Sequence, residues 1–215
     1  MRNKTFISSM VGIAAAVAVA GSANAALTFD SFNTAATGDG EVISSSFMGG
    51  FFTTRTMYED GVTGTKSLTT SIGDGNLTVN TNGPSSTSRS GDVIYGRASN
   101  GDLSNFASIS MTIAYTNYTG DLYFTFSDLA VVNQSQTADT RTAFTGTVTL
   151  TFNKADFVGS VNWAQVAQFN MSFVSKNTTP GSAVITNFNY SEVPAPGALA
   201  LLGAAGLVGA RRRRA

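Results

Sequence analysis

Oxygen-bearing side chains on glycine-rich turns are the first places in this sequence where chemistry could occur. Asp39 with Glu41, Asp74 with Asn76, and Asn100 with Asp102 offer the hard ligands that calcium takes. None has the ordered spacing of a calcium-binding helix–loop–helix, so the reading is at most a structural calcium held by residues among Asp39, Glu41, Asp74 and Asp102. No other cofactor is expected. Glu59 beside Asp60 is a pair of carboxylates, but glycoside hydrolysis depends on a separation in space that adjacency in sequence does not supply. Histidine and cysteine are both absent from the 215 residues. Ser-His-Asp and Cys-His nucleophiles, histidine proton shuttles and ordinary zinc sites therefore cannot be built. The expectation is a protein that is not an enzyme.

Two aromatic residues are candidates for contact with a ligand. Trp163, the only tryptophan, can stack on a sugar ring, although a large apolar residue between two strong strands commonly plugs the end of a sandwich. Tyr118 falls near the tip of an expected hairpin, where an exposed ring would meet a ligand; Tyr115 and Tyr123 flank the same turn. Thr145, Thr147, Thr149 and Thr151 form a hydroxyl row. Threonine is also simply a good strand former on a solvated face, and one strand does not make an array.

The elements that must carry these residues are strands. Ile109, Met111, Ile113 and Tyr115 alternate with Ser108, Ser110, Thr112 and Ala114, the period of a half-buried strand. Thr119-Gly120-Asp121 reads as a turn, after which Leu122, Phe124 and Phe126 resume the alternation as a hairpin. Phe144, Val148, Leu150 and Phe152 oppose the threonine row. Phe169, Met171 and Phe173 form another strand, and Val184, Thr186, Phe188 and Tyr190 close the body. Weaker candidates are 27–32, 51–57, 76–81 and 92–95. Turn signals separate them at Asp39-Gly40, Asp60-Gly61, Asp74-Gly75, Asn82-Gly83-Pro84 and Asn100-Gly101. Eight or so short strands at this spacing predict an all-β fold, an antiparallel β-sandwich of jelly-roll type.

The two ends read differently from the body. Arg2 and Lys4 precede an apolar run from Met10 to Ala20, and Ala23 and Ala25 flank Asn24 in the small-x-small arrangement that signal peptidase accepts. Residues 1–25 are expected to be a signal peptide cut after Ala25, because an apolar core of 11 residues is short of the roughly 20 that cross a bilayer. The body, residues 26–192, holds seven lysines and arginines against all 13 acidic residues, a net charge of −6. That balance argues against binding a phosphate backbone, so nucleic acid is not an expected partner.

Residues 193–215 have three parts. Val193-Pro194-Ala195-Pro196 is an extended strip that a protease can grip, since proline disfavours helix before it. Gly197 to Ala210 is a short hydrophobic helix of 14 residues, reaching only ~21 Å. Arg211, Arg212, Arg213 and Arg214 then stop translocation on the cytoplasmic side.

This tail resembles the PEP-CTERM sorting signal of Gram-negative bacteria. In that family a Val-Pro-Glu-Pro motif precedes a short transmembrane stretch and a basic end; here Ala195 stands in place of the glutamate. The body, through Leu27-Thr28-Phe29-Asp30, Thr54-Arg55-Thr56, Val161-Asn162-Trp163 and Ile185-Thr186-Asn187-Phe188, looks like the jelly-roll-like domains of such surface proteins, which are similar in shape to carbohydrate-binding modules. The resemblance implies processing by signal peptidase and an exosortase, transient anchoring in the inner membrane, and release to the cell surface or extracellular matrix. The expected role is structural or adhesive and non-catalytic, with polysaccharide or matrix proteins as partners. The alternative is a carbohydrate-binding module, calcium-stabilised or not.

Overall fold

Alternation of apolar and polar residues builds almost every element. The computed structural model describes residues 26–37, 40–59, 68–81, 89–176 and 179–193. Its strands are β1 (Leu27–Asp30), β2 (Ala36–Thr37), β3 (Val42–Phe47), β4 (Phe52–Glu59), β5 (Leu68–Gly73), β6 (Asn76–Thr81), β7 (Arg89–Gly101), β8 (Phe106–Ser127), β9 (Gln134–Asn153), β10 (Val158–Gly159), β11 (Val166–Ser175) and β12 (Gly181–Glu192). Among the described residues, helical structure is confined to two 3₁₀ turns, Met48–Gly50 and Lys154–Asp156, and no helix is long and apolar enough to cross a membrane.

All strand pairs are antiparallel, and the sheet runs β2-β5-β6-β12-β8-β11-β7-β4-β3. It curls because β8 serves two neighbours. Ser108 to Thr116 of β8 pairs with β12, whereas Gly120 to Ser127 pairs with β11. Strand β9 follows β8 throughout, from Asn153 opposite Ser108 to Gln134 opposite Ser127. The result is a sandwich: a back leaf of β2, β5, β6, β12 and the first half of β8, and a front leaf of β3, β4, β7, β11 and its second half. Phe29 of β1 joins the leaves, stacked on Phe188 of β12 at 4.1 Å and lying 5.1 Å from Phe169 of β11. Each fully buried phenylalanine contributes about 1.5–3 kcal/mol. In a chain without cysteine, this core and the ladders hold the fold.

The expected hairpin at Thr119-Gly120-Asp121 does not form: β8 runs through it unbroken. The inward set changes parity there, from Ile109, Met111, Ile113 and Tyr115 to Tyr118, Leu122, Phe124 and Phe126. A β-bulge makes the change, with Asn117 at φ 44° and register shifts on either side of Tyr118. Gly120 lets β11 approach, since a Cβ there would stand 2.2 Å from the Val174 carbonyl oxygen. A second bulge at Asn187, φ 51°, corrects the reading of β12. Ala183 and Ile185 point inward before it and Phe188 and Tyr190 after it, so Val184 and Thr186 face outward. Asp74-Gly75 does form a tight turn; both φ angles are positive, 52° and 79°, as a two-residue hairpin turn requires. Asn100-Gly101 belongs to the end of β7 rather than to a turn.

The expected signal peptide and C-terminal helix lie outside the described residues, as do Ala23, Ala25, Asp39, Pro194, Ala195, Pro196 and Arg211, Arg212, Arg213 and Arg214.

Candidate functional site

A buried charge marks the centre of the front leaf. Arg55 of β4 and Tyr95 of β7 are register partners pointing inward, 1% and 0% exposed. Asp30, at the end of β1, receives both: Arg55 Nη1 donates to Oδ2 at 2.6 Å and the Tyr95 hydroxyl donates to the same oxygen at 2.8 Å. The other carboxylate oxygen accepts the Phe32 N–H at 2.8 Å, and Arg55 Nη2 donates to the Thr34 carbonyl. The guanidinium also lies 5.3 Å from the Phe47 ring centre. Burying an arginine costs several kcal/mol unless its charge is matched and its donors used, which this arrangement largely does. Burial, reinforced by the Asp30 charge, pushes the Tyr95 phenol well above its usual range.

The residues that alternate with this pair face outward and shape a groove of about 410 Å³. Thr54, Thr56 and Tyr58 come from β4, Ile94, Gly96 and Ala98 from β7, and Gln168 from β11. Gly96 keeps the floor low, with the Thr54 hydroxyl donating to its carbonyl at 3.2 Å. Arg97 closes one end. Tyr58 is 45% exposed. Beside it the floor continues by register from Tyr58 to Asp92, Ser172 and Tyr123, on β4, β7, β11 and β8. Three inter-strand spacings separate the two tyrosines, ~14 Å. Asn170 Nδ2 donates to Asp92 Oδ1 at 3.2 Å, while Asn170 Oδ1 is buried without a hydrogen-bond partner. The face thus offers an aromatic ring at each end and amide, hydroxyl and carboxylate groups between.

No family model matches the chain, and no curated protein matches it. Among solved structures, the agarase AgWH50C is similar over 79% of this chain at a TM-score of 0.50 and 10% identity; the chain spans 25% of that enzyme. The family 11 carbohydrate-binding module of the cellulase Lic26A-Cel5E of Clostridium thermocellum aligns over 81% of this chain and 99% of its own, at a TM-score of 0.48 and 12% identity. The family 11 module from Clostridium thermocellum in complex with a β-1,3-1,4-mixed-linked tetrasaccharide aligns over 80% and 98%, at 0.46 and 14%. At such identities the likeness is one of fold.

The residues singled out by sequence are scattered. Tyr118 is not at a tip: it is 1% exposed and packs on Tyr115 at 5.3 Å, with its hydroxyl unpartnered. Burial pushes its phenol up. Trp163 is half-buried at one end of the sandwich, stacked on Phe106 at 5.3 Å and 11°, with the Lys154 ammonium 4.9 Å from its ring. Glu41, Asp74 and Asp102 sit in three separate connections, at the start of β3, between β5 and β6, and after β7. Among the described residues no group of three His, Cys, Asp or Glu could hold a metal ion. Asp102 already accepts the Ser104 N–H at 2.8 Å, and hydrogen bonds from the Ser104 side chain and backbone hold its carboxyl below the usual range.

The threonine row is exposed on β9 as its alternation implies. Its surroundings repeat it: Thr149, Thr112 and Thr186 are cross-strand neighbours, as are Thr147, Ala114, Val184, Thr78 and Ser71. The outer back leaf is thus hydroxyl-rich and uncharged along these rows. Val193 is exposed, and its N–H donates to the Asn105 carbonyl at 2.7 Å.

Sequence reasoning missed Tyr58, Asp92, Arg97 and Gln168. For Tyr58 a signal existed, because it shares the outward phase of β4 with Thr54 and Thr56 while Met57 points inward. An aromatic residue in the solvated phase of a strand was the clue.

Proposed function

We propose that this chain is a carbohydrate-binding domain whose front leaf holds a short stretch of polysaccharide across β4, β7, β11 and β8. The observation that carries this reading is the polar floor bounded by Tyr58 and Tyr123, with the groove beside Tyr58. Aromatic rings take the apolar faces of sugars, and fixed amides and hydroxyls take their hydroxyl groups. Carbohydrate-binding modules of known structure, including one solved with a mixed-linked tetrasaccharide, are among the proteins of similar fold. The N-terminal and C-terminal sequence features add export and exosortase sorting to this proposal, placing the domain at the cell surface or in the matrix.

Glycan-array binding, followed by titration of any retained oligosaccharide, tests the reading. The expected result is retention of at least one glycan class, weakened about tenfold by Tyr58→Ala with the fold intact, a loss of about 1.4 kcal/mol. Retention unchanged by Tyr58→Ala and Tyr123→Ala would place binding elsewhere. A blank array would favour the second reading, a structural matrix protein, to which the uncharged hydroxyl face of the back leaf is suited.

A further inference from the structure

The end of the groove carries one positive charge, and its placement is unusual. Arg97 is the only charged residue among those lining the groove. It makes no ion pair with a described residue; the pairs found are Arg55 with Asp30, Arg141 with Asp139, and Lys176 with Asp121. The side chain is nevertheless fixed. Its guanidinium lies 4.6 Å from the Phe51 ring centre. The bare backbone of Gly101 forms the rest of the seat, since a Cβ at 101 would stand 1.8 Å from Arg97 Nη1 and 2.9 Å from the Phe51 ring. Phe51 is itself held edge-on by Phe52 at 4.8 Å.

The seat comes from an irregularity in β7. Pairing with β11 jumps from Gly96 opposite Gln168 to Gly101 opposite Val166, so residues 97–100 leave the ladder. Without that bulge, Arg97 would share the inward phase of Val93 and Tyr95. A cation held on an aromatic face, with no anionic partner among the described residues, suits an anion supplied from outside. Guanidinium groups bind carboxylates and oxyanions through paired N–H donors, and fixing the fork in advance reduces the entropy lost on binding. Elsewhere the body is acidic, with a net charge of −6. A polyanion would therefore gain nothing from the general field, and selection for it must come from a local contact.

We infer that the groove selects an acidic polysaccharide, with Arg97 receiving a carboxylate or sulfate ester on a sugar at the end of the groove away from Tyr58. This rests on the carbohydrate-binding reading given above. The chemistry shared by the two sources is a monoanionic oxygen cluster, so the probes must separate them.

Three hexasaccharides are titrated against the full chain by calorimetry: a polyuronate, a sulfated galactan and a neutral β-glucan. The expected result is that one of the anionic probes binds at least tenfold more tightly than the neutral one, about 1.4 kcal/mol. That preference should shrink as salt is raised. Arg97→Ala should abolish it, costing the anionic probe far more than the neutral one. Gly101→Ala, which keeps the charge but removes its seat, should weaken anionic binding in the same direction. Equal or tighter binding of the neutral probe would overturn the inference and leave the carbohydrate reading standing. So would Arg97→Ala weakening all three probes equally, since the arginine would then only shape the groove. Failure of every probe and of a wider array would overturn both.

Discussion

The Asp30–Arg55–Tyr95 cluster lies directly beneath the groove, and its two charged members should not be equally replaceable. In Asp30→Asn the shape is kept but the charge goes. The buried Arg55 guanidinium is then received only by the Thr34 carbonyl and a neutral amide oxygen, with no counter-charge. Its Nε is unpartnered even in the intact protein. An uncompensated buried charge costs about 3–5 kcal/mol, a large part of the roughly 5–15 kcal/mol that holds such a domain together. For a domain of this size that is a fall in Tm of roughly 6–20 °C. In Arg55→Met the carboxylate keeps the Phe32 N–H and the Tyr95 hydroxyl, so the loss should be smaller, about 1–3 kcal/mol. The double variant should be more stable than the sum of the single losses implies, because neither charge is then stranded. Urea denaturation monitored by far-ultraviolet circular dichroism measures all three, with the slope m expected to be unchanged. An Asp30→Asn loss below about 1 kcal/mol, or single losses that add to within ~0.5 kcal/mol, would refute the reasoning.

Other outcomes follow from the packing. Trp163→Ala should destabilise the fold by about 3 kcal/mol through its lost contacts with Phe106, Phe126 and Phe157 while leaving glycan affinity unchanged, which paired denaturation and binding measurements decide. Gly120→Ala should cost about 3 kcal/mol or more, or prevent folding, since its Cβ meets the Val174 backbone; soluble yield and the urea midpoint report it. The Lys176 ammonium, bonded to Asp121 at 2.6 Å, holds that carboxyl below its usual range. Its stabilisation is present above about pH 4 and lost as pH falls through the lowered value, so Asp121→Asn should flatten the acid limb of stability against pH. Burial raises the phenols of Tyr95 and Tyr115, so their contribution is intact below about pH 10 and is lost above it. Tyrosinate absorbance from these rings should appear only together with unfolding.

Much of the sandwich was readable because alternation is a local property. Asn76 to Thr81 is a strand with the bounds its sequence suggests, and Ile109–Tyr115 and Phe169–Phe173 face as expected. What misled was parity. A bulge and a turn both interrupt a period of two, and Thr119-Gly120-Asp121 has turn-like composition, yet its glycine serves the approach of β11. The first half of β9 escaped notice because beyond it lies only the two-residue β10 and Ser135 alone is buried, so no apolar period is written there. The groove was hidden for a different reason. Tyr58, Asp92, Gln168 and Arg97 are brought together only by the β4–β7–β11 pairing, and Arg97 faces outward only because β7 leaves its ladder.

The position of β12 has a mechanical meaning. This last strand is an interior one: β8 lies along one side, and β6 followed by β1 along the other, with Leu27 opposite Tyr190. The body therefore begins and ends at neighbouring points, and the tail departs from a strand clamped on both flanks. Tension entering through Glu192 cannot peel that strand from an edge bond by bond. It must load two ladders together, and through β8 it reaches the front leaf where a polysaccharide would be gripped. A domain tethered by its carboxyl end and holding a glycan on its opposite leaf would pass force through its most continuous strands.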